Sequence, residues 1–314
     1  MSNRIDGSAD GRLFEEEFLR KLERLALLSR KAAAGKLQGE RRSSKRGQSV
    51  EFADFRPYVA GDDFRRIDWN AYARLERFFI KLFIEEEDLT VHLLIDTSTS
   101  MNWGQPNKLW YAIRAAGALG YVALAGLDRV TVTAFGNERD RPDGVKYFPP
   151  HRGKSQALPL FSFLQSLAPG SLAHRPGDHA PADLAGRLRA YAGTAAHPGP
   201  ALLFSDLLDD AWLEGLRSLA GRGFEVTVVQ VLAPDEVNPD LNGDLKLLDS
   251  ESAAAVEITA DYDLLERYRK GLQDWREELR RFCIARGMHY VSLETSLPFD
   301  ELLFAWLRRQ GVLR

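Results

Sequence analysis

Apolar and polar positions follow one grammar before Asp88 and another after it. Phe14, Phe18, Leu22, Leu25 and Leu28 recur at three- and four-residue steps among Glu, Lys and Arg, which predicts an amphipathic helix over Glu15–Ala34. Gly39–Ser49 (GERRSSKRGQS) is polar, basic and Ser-rich and reads as a loop. A dense aromatic and charged segment runs from Val50 to Arg77, and Phe78–Glu87 (FFIKLFIEEE) reads as an extended strand. Beyond Asp88, short apolar runs alternate with helical ones. LTVHLLID, Arg129–Phe135, a short Val145–Phe148 edge, PALLFSD, Phe224–Leu232 and HYVSL read as strands. Lys108–Leu127, Ser155–Leu167, a segment ending near Tyr191, Ala211–Ala220, Asp261–Arg286 and Phe299–Arg309 read as helices. A Pro/Gly/His-rich loop covers Ala168–Pro181, and LKLLD with AVEIT reads as a hairpin. This alternation predicts an α/β domain, a doubly wound, mostly parallel sheet with helices on both faces. The expected division is 1–88, an N-terminal helical and extended segment, and 89–314, the α/β domain.

Composition narrows the class. The 314 residues are 45% hydrophobic and 28% charged, which excludes collagen-like, low-complexity and mostly disordered chains. Forty-two Lys and Arg oppose 45 Asp and Glu for a net charge of −3, which provides no global pull toward nucleic acid or anionic membrane. Cys283 is the single cysteine, so neither an intramolecular disulfide nor a cysteine-built zinc site can form. The first residues lack the apolar core of a signal peptide. The most apolar long stretch, Ala112–Leu127, contains Arg114 and is too short and too Ala/Gly-rich for a bilayer span. The expectation is a cytoplasmic protein with no direct membrane insertion.

Ligands of open α/β sheets bind beyond the carboxyl ends of the strands. Two predicted strand ends carry hard oxygen donors: Asp96, Ser98 and Ser100 after VHLLI, and Ser205 and Asp206 after ALLF. Such donors suit Mg²⁺, which takes oxygen ligands at about 2.1 Å in octahedral array and keeps several waters. The alternative is that Asp96 and Asp206 only cap helices. The arrangement resembles the von Willebrand factor A fold and its metal-ion-dependent adhesion site (MIDAS), whose first motif is Asp-x-Ser-x-Ser. The resemblance implies Mg²⁺ (or Mn²⁺ or Ca²⁺) held by Asp96, Ser98, Ser100 and Asp206. For that family's intermediate threonine the nearest hydroxyl is Ser155, in the loop HRGKSQ, a departure from the pattern.

The segment Arg56–Trp69 interleaves Asp62, Asp63 and Asp68 with Arg56, Arg65 and Arg66, and sets Phe55, Tyr58, Phe64, Trp69 and Tyr72 among them. Guanidinium groups pair with carboxylates and stack on aromatic faces, so a self-satisfied clamp is one reading and a partner-binding surface the other. Arg56, Tyr58, Gly61, Asp62, Arg65, Ile67, Asp68, Trp69, Ala73 and Arg74, followed by the Asp-x-Ser-x-Ser strand, resemble the bacterial family catalogued as domain of unknown function 58. That resemblance runs over roughly Val50–Arg314. It implies association with MoxR-type AAA+ ATPases in the assembly or maturation of other proteins.

Weaker signals point elsewhere and are set aside. Arg41, Arg42, Lys45 and Arg46 form a basic patch without interleaved aromatics, which reads as a solvated loop. Gly153-Lys154-Ser155 resembles the end of a P-loop, but the required upstream glycine is Phe148. Aspartyl-phosphate chemistry needs a second Asp where Ser98 stands. Cys283 reads as a small core residue. The expected function is therefore a non-enzymatic protein–protein interaction module with a MIDAS. The alternatives are a metal-dependent phosphoesterase and a metal-free structural adaptor.

Overall fold

The structure, a computed structural model, describes residues 13–14, 16, 18–23, 51–59, 62, 64, 67–84, 89–136, 145–169, 183–208, 211–248 and 254–297. The predicted helix at Phe299–Arg309, the basic loop at Gly39–Ser49, and Gly61 and Arg65 lie outside the described residues. The chain forms two units, residues 39–88 and residues 1–38 together with 89–314.

The smaller unit is built on an antiparallel pair, β1 (Glu51–Pro57) and β2 (Phe79–Ile84). A short helix, α1 (Trp69–Leu75), lies between them in sequence. Its N-cap is Asp68, whose carboxylate accepts from Asn70 N at 2.9 Å and Ala71 N at 3.2 Å and so satisfies otherwise orphaned donors. Neither β1 nor α1 was expected, because charged and aromatic residues alternate here without a clean period.

The larger unit has the predicted architecture of a doubly wound, mostly parallel sheet with helices packed against it. Its strands are β3 (Thr90–Asp96), β4 (Arg129–Phe135), β5 (Val145–Arg152), β6 (Pro200–Ser205), β7 (Glu225–Leu232) and β10 (His289–Glu294). They lie in the order β10-β7-β6-β3-β4-β5. All neighbouring pairs are parallel except β4–β5. A separate hairpin, β8 (Gly243–Leu248) with β9 (Ala255–Ala260), follows β7 in sequence. The helices are α2 (Lys108–Ala125), α3 (Ala157–Gln165), α4 (Leu184–Thr194), α5 (Trp212–Gly221), the single turn α6 (Pro234–Val237) and α7 (Tyr262–Ile284).

Strands covered on both faces read as continuous apolar runs, and their alternation feeds two cores. Leu93 and Ile95 of β3 enter one core with α2 and α3, whereas Leu94 enters the other with Leu188 of α4, Leu216 of α5 and Leu279 of α7. Leu13, Phe14, Phe18 and Leu22 belong to the first core, so this N-terminal stretch joins the α/β unit rather than the aromatic box with which it was grouped. The small residues of α2 allow close approach. A Cβ on Gly120 would stand 2.8 Å from Leu160 and 3.0 Å from Leu93. Among the described residues no helix is long and apolar enough to cross a membrane.

Candidate metal centre

The parallel strands bring their carboxyl ends to one rim. β3 and β6 are direct neighbours there, with Ile95 opposite Phe204. Asp96 closes β3 and is buried, as are Ser98, Ser205 and Asp206. Asp96 Oδ1 accepts from Ser98 N at 2.9 Å, and Asp96 Oδ2 accepts from Ser205 Oγ at 2.6 Å. The Ser98 and Ser100 hydroxyls lie 3.1 Å apart. Burial, with the Asp206 charge nearby as the second cause, raises the Asp96 carboxyl to about 6. The two strand ends named by the sequence therefore meet in one buried polar cluster.

Ser155 does not join them. β5 runs antiparallel to β4, so Val145 lies level with Phe135 and Arg152 level with Arg129. Phe135 marks the Asp96 rim, and Arg129 the opposite rim beside Thr90. Ser155 follows Arg152, and six residues of strand separate the rims by about 20 Å. Its exposed neighbour Lys154 bonds Glu23 Oε1 at 2.5 Å, and Tyr121 bonds the same oxygen at 3.0 Å. The sequence shows that a strand precedes Ser155 but not which way that strand points.

Two charged residues were missed. Lys108, the first residue of α2, is completely buried, and its Nζ donates to Asp206 Oδ2 at 2.8 Å and to Glu236 Oε1 at 2.5 Å. Glu236 Oε2 in turn accepts from Ala233 N at 2.8 Å, which fixes α6 at the end of β7. Gln230 Nε2 donates to the Asp206 carbonyl at 3.3 Å, and Tyr290 donates to Gln230 Oε1 at 2.6 Å. A lysine opening an Ala/Gly-rich buried helix was the available signal, since a doubly wound topology starts each such helix at the strand-end rim.

The donor set fits a hard divalent ion in part. Adjacent ligands of a Mg²⁺ octahedron with bonds of about 2.1 Å stand about 3.0 Å apart, close to the Ser98–Ser100 spacing. Asp96 retains free lone pairs beside them. Asp206 fits less well, because an ammonium already holds it. Among the described residues no group of three His, Cys, Asp or Glu side chains could hold a metal ion, so a site here depends on the hydroxyls.

The aromatic box, in the other unit, forms bonds within itself. Arg56 makes a two-pronged pair with Asp62, at 2.7 Å to Oδ2 and 2.6 Å to Oδ1, and Val59 N donates to Asp62 Oδ2 at 3.0 Å. The guanidinium holds the Asp62 carboxyl down at about 2. Tyr72 stacks on Phe78 at 4.4 Å, and Trp69 meets both rings edge-on while remaining 60% exposed. Tyr58 packs edge-on against Phe78, and Arg74 is exposed on α1.

The profile of the family described as protein of unknown function DUF58 matches residues 54–278, from within β1 into α7. The chain belongs to the DUF58 family. The match ends before the C-terminal limit expected from the sequence. Among DUF58 relatives, the uncharacterized proteins Rv1480 of Mycobacterium tuberculosis and Mb1516 of Mycobacterium bovis are each 27% identical over 299 residues, covering 93% of this chain and 90% of their own. The uncharacterized protein MAV169 of Mycobacterium avium is 31% identical over 135 residues, 42% of this chain and 79% of its own. Among solved structures, the conserved hypothetical protein BatB of Bacteroides thetaiotaomicron superposes with a TM-score of 0.42 at 14% identity, covering 71% of this DUF58 chain and 97% of BatB. An aerotolerance-related membrane protein of Bacteroides fragilis gives 0.42 at 15% identity, covering 72% and 100%.

Proposed function

We propose that this DUF58 chain is a non-enzymatic protein–protein interaction module whose strand-end pocket is a MIDAS. The observation that carries the reading is the Ser98–Ser100 hydroxyl pair, 3.1 Å apart, beside the buried carboxylate of Asp96. A divalent ion there would supply a Lewis-acidic centre with open positions, and neutral hydroxyl ligands would leave it short of negative charge. A carboxylate from a partner protein completes such a shell. Mg²⁺ is the first choice, with Mn²⁺ and Ca²⁺ as substitutes. The partner class comes from the family resemblance alone: a MoxR-type AAA+ ATPase, in a cytoplasmic setting, acting on other proteins during assembly or maturation.

The test is a pull-down with the wild-type chain and with Asp96→Ala and Ser98→Ala, each with and without chelator. A co-purifying ATPase that is lost in the variants and in chelator supports the reading, provided circular dichroism shows the variants folded. Retention of the same partner in every condition overturns the metal and leaves a metal-free adaptor. Metal-dependent turnover of phosphate esters that follows the protein peak and vanishes in Asp96→Ala overturns the non-enzymatic reading.

A further inference from the structure

The pocket already contains a cation. Lys108 has no solvent-exposed surface, and its ammonium lies between Asp206 Oδ2 at 2.8 Å and Glu236 Oε1 at 2.5 Å. The second Asp206 oxygen accepts from Leu208 N at 3.3 Å. A buried lysine bound by two carboxylates is a hard, desolvated positive charge, and it uses the interactions through which a divalent ion would take Asp206. A metal bonded to Asp206 Oδ2 at about 2.1 Å would stand within about 5 Å of Nζ. Lys108 is fully buried, so bulk solvent screens the repulsion of the two charges only weakly.

We propose, resting on the metal-site reading above, that Lys108 is a resident cation competing with a divalent ion for Asp206. Their repulsion sets the two against each other at that carboxylate. A metal entering through Asp96, Ser98 and Ser100 gains Asp206 only by expelling the ammonium, so Lys108 sets the affinity of the pocket.

Mn²⁺ alone is the probe, titrated into the full chain and followed by electron paramagnetic resonance. Lys108→Met is expected to bind Mn²⁺ at least about tenfold more tightly than wild type. In the wild-type chain, acetic anhydride labelling read by mass spectrometry should leave Lys108 unmodified in chelator and modify it in saturating Mn²⁺. Equal or weaker binding by a folded Lys108→Met overturns the competition while leaving the metal site standing. Binding by neither protein overturns both. Binding by Lys108→Met alone supports the competition and removes the metal from the native function. Should Lys108→Met not fold, the labelling decides: a Lys108 that stays unmodified in Mn²⁺-loaded wild type overturns the proposal.

Discussion

His92 makes a quantitative prediction about acid stability. It lies in β3, 5% exposed, with Nδ1 2.6 Å from the Tyr191 hydroxyl and Nε2 3.0 Å from the His197 carbonyl. Only a protonated Nε2 can donate to that carbonyl, so in the neutral ring Nδ1 is the acceptor from Tyr191. Burial pushes its titration from 6.5 down to about 4. The unfolded chain therefore takes up a proton near pH 6.5 while the folded chain does not until about pH 4. Stability from this group is complete above 6.5 and is lost as pH falls through that window. At about 1.4 kcal/mol for each tenfold change in proton affinity, the loss is about 3 kcal/mol. Replacing His92 with Gln keeps a neutral polar group and abolishes the titration. Urea unfolding followed by circular dichroism, at half-unit steps from about pH 7.5 to 4, measures the difference between the two proteins. That difference should shrink by about 3 kcal/mol toward acid. Parallel curves would refute a buried neutral imidazole.

The Asp96 carboxyl works in the opposite sense. Raised from 3.8 to about 6, it disfavours the folded state by about 3 kcal/mol above pH 6 and by nothing below 3.8. Asp96→Asn in chelator should therefore gain stability relative to wild type as pH rises from 4 to 7; because the His92 and Asp96 slopes oppose, only the single variants reveal either one. Lys108→Met strands Asp206 in the interior and should cost about 3–5 kcal/mol at pH 7 by urea unfolding. Adding Asp206→Asn should recover part of that, and strict additivity in the double-mutant cycle would refute a direct pair. Gly120→Ala forces a methyl against Leu160 and Leu93 and should cost about 1–3 kcal/mol, read as a lower denaturation midpoint at unchanged slope.

Strands β3, β4, β6 and β7 were legible because residues buried on both faces leave unbroken Val, Leu and Ile runs. The meeting of Asp96 with Ser205 and Asp206 followed from topology, since parallel strands share one rim. Other features depend on partners distant in sequence. The reversal of β5 carried Ser155 to the far rim, and strand direction has no local signature. Lys108 was not among the expected site residues, because its burial depends on Asp206 and Glu236, each about a hundred residues or more away. Leu13, Phe14, Phe18 and Leu22 displayed an apolar stripe, but a stripe does not say which surface it covers.

That stripe bears on where the protein can be cut. A fragment trimmed to residues 54–278, where the family profile starts and stops, would discard Leu13, Phe14, Phe18 and Leu22 from one core. It would also sever α7 just ahead of Leu279, Phe282 and Cys283, and remove β10 with it. Part of each core would then lie open to water, and such a fragment is expected to aggregate on expression. Evolutionary bookmarks and the smallest self-supporting polypeptide do not coincide in this chain.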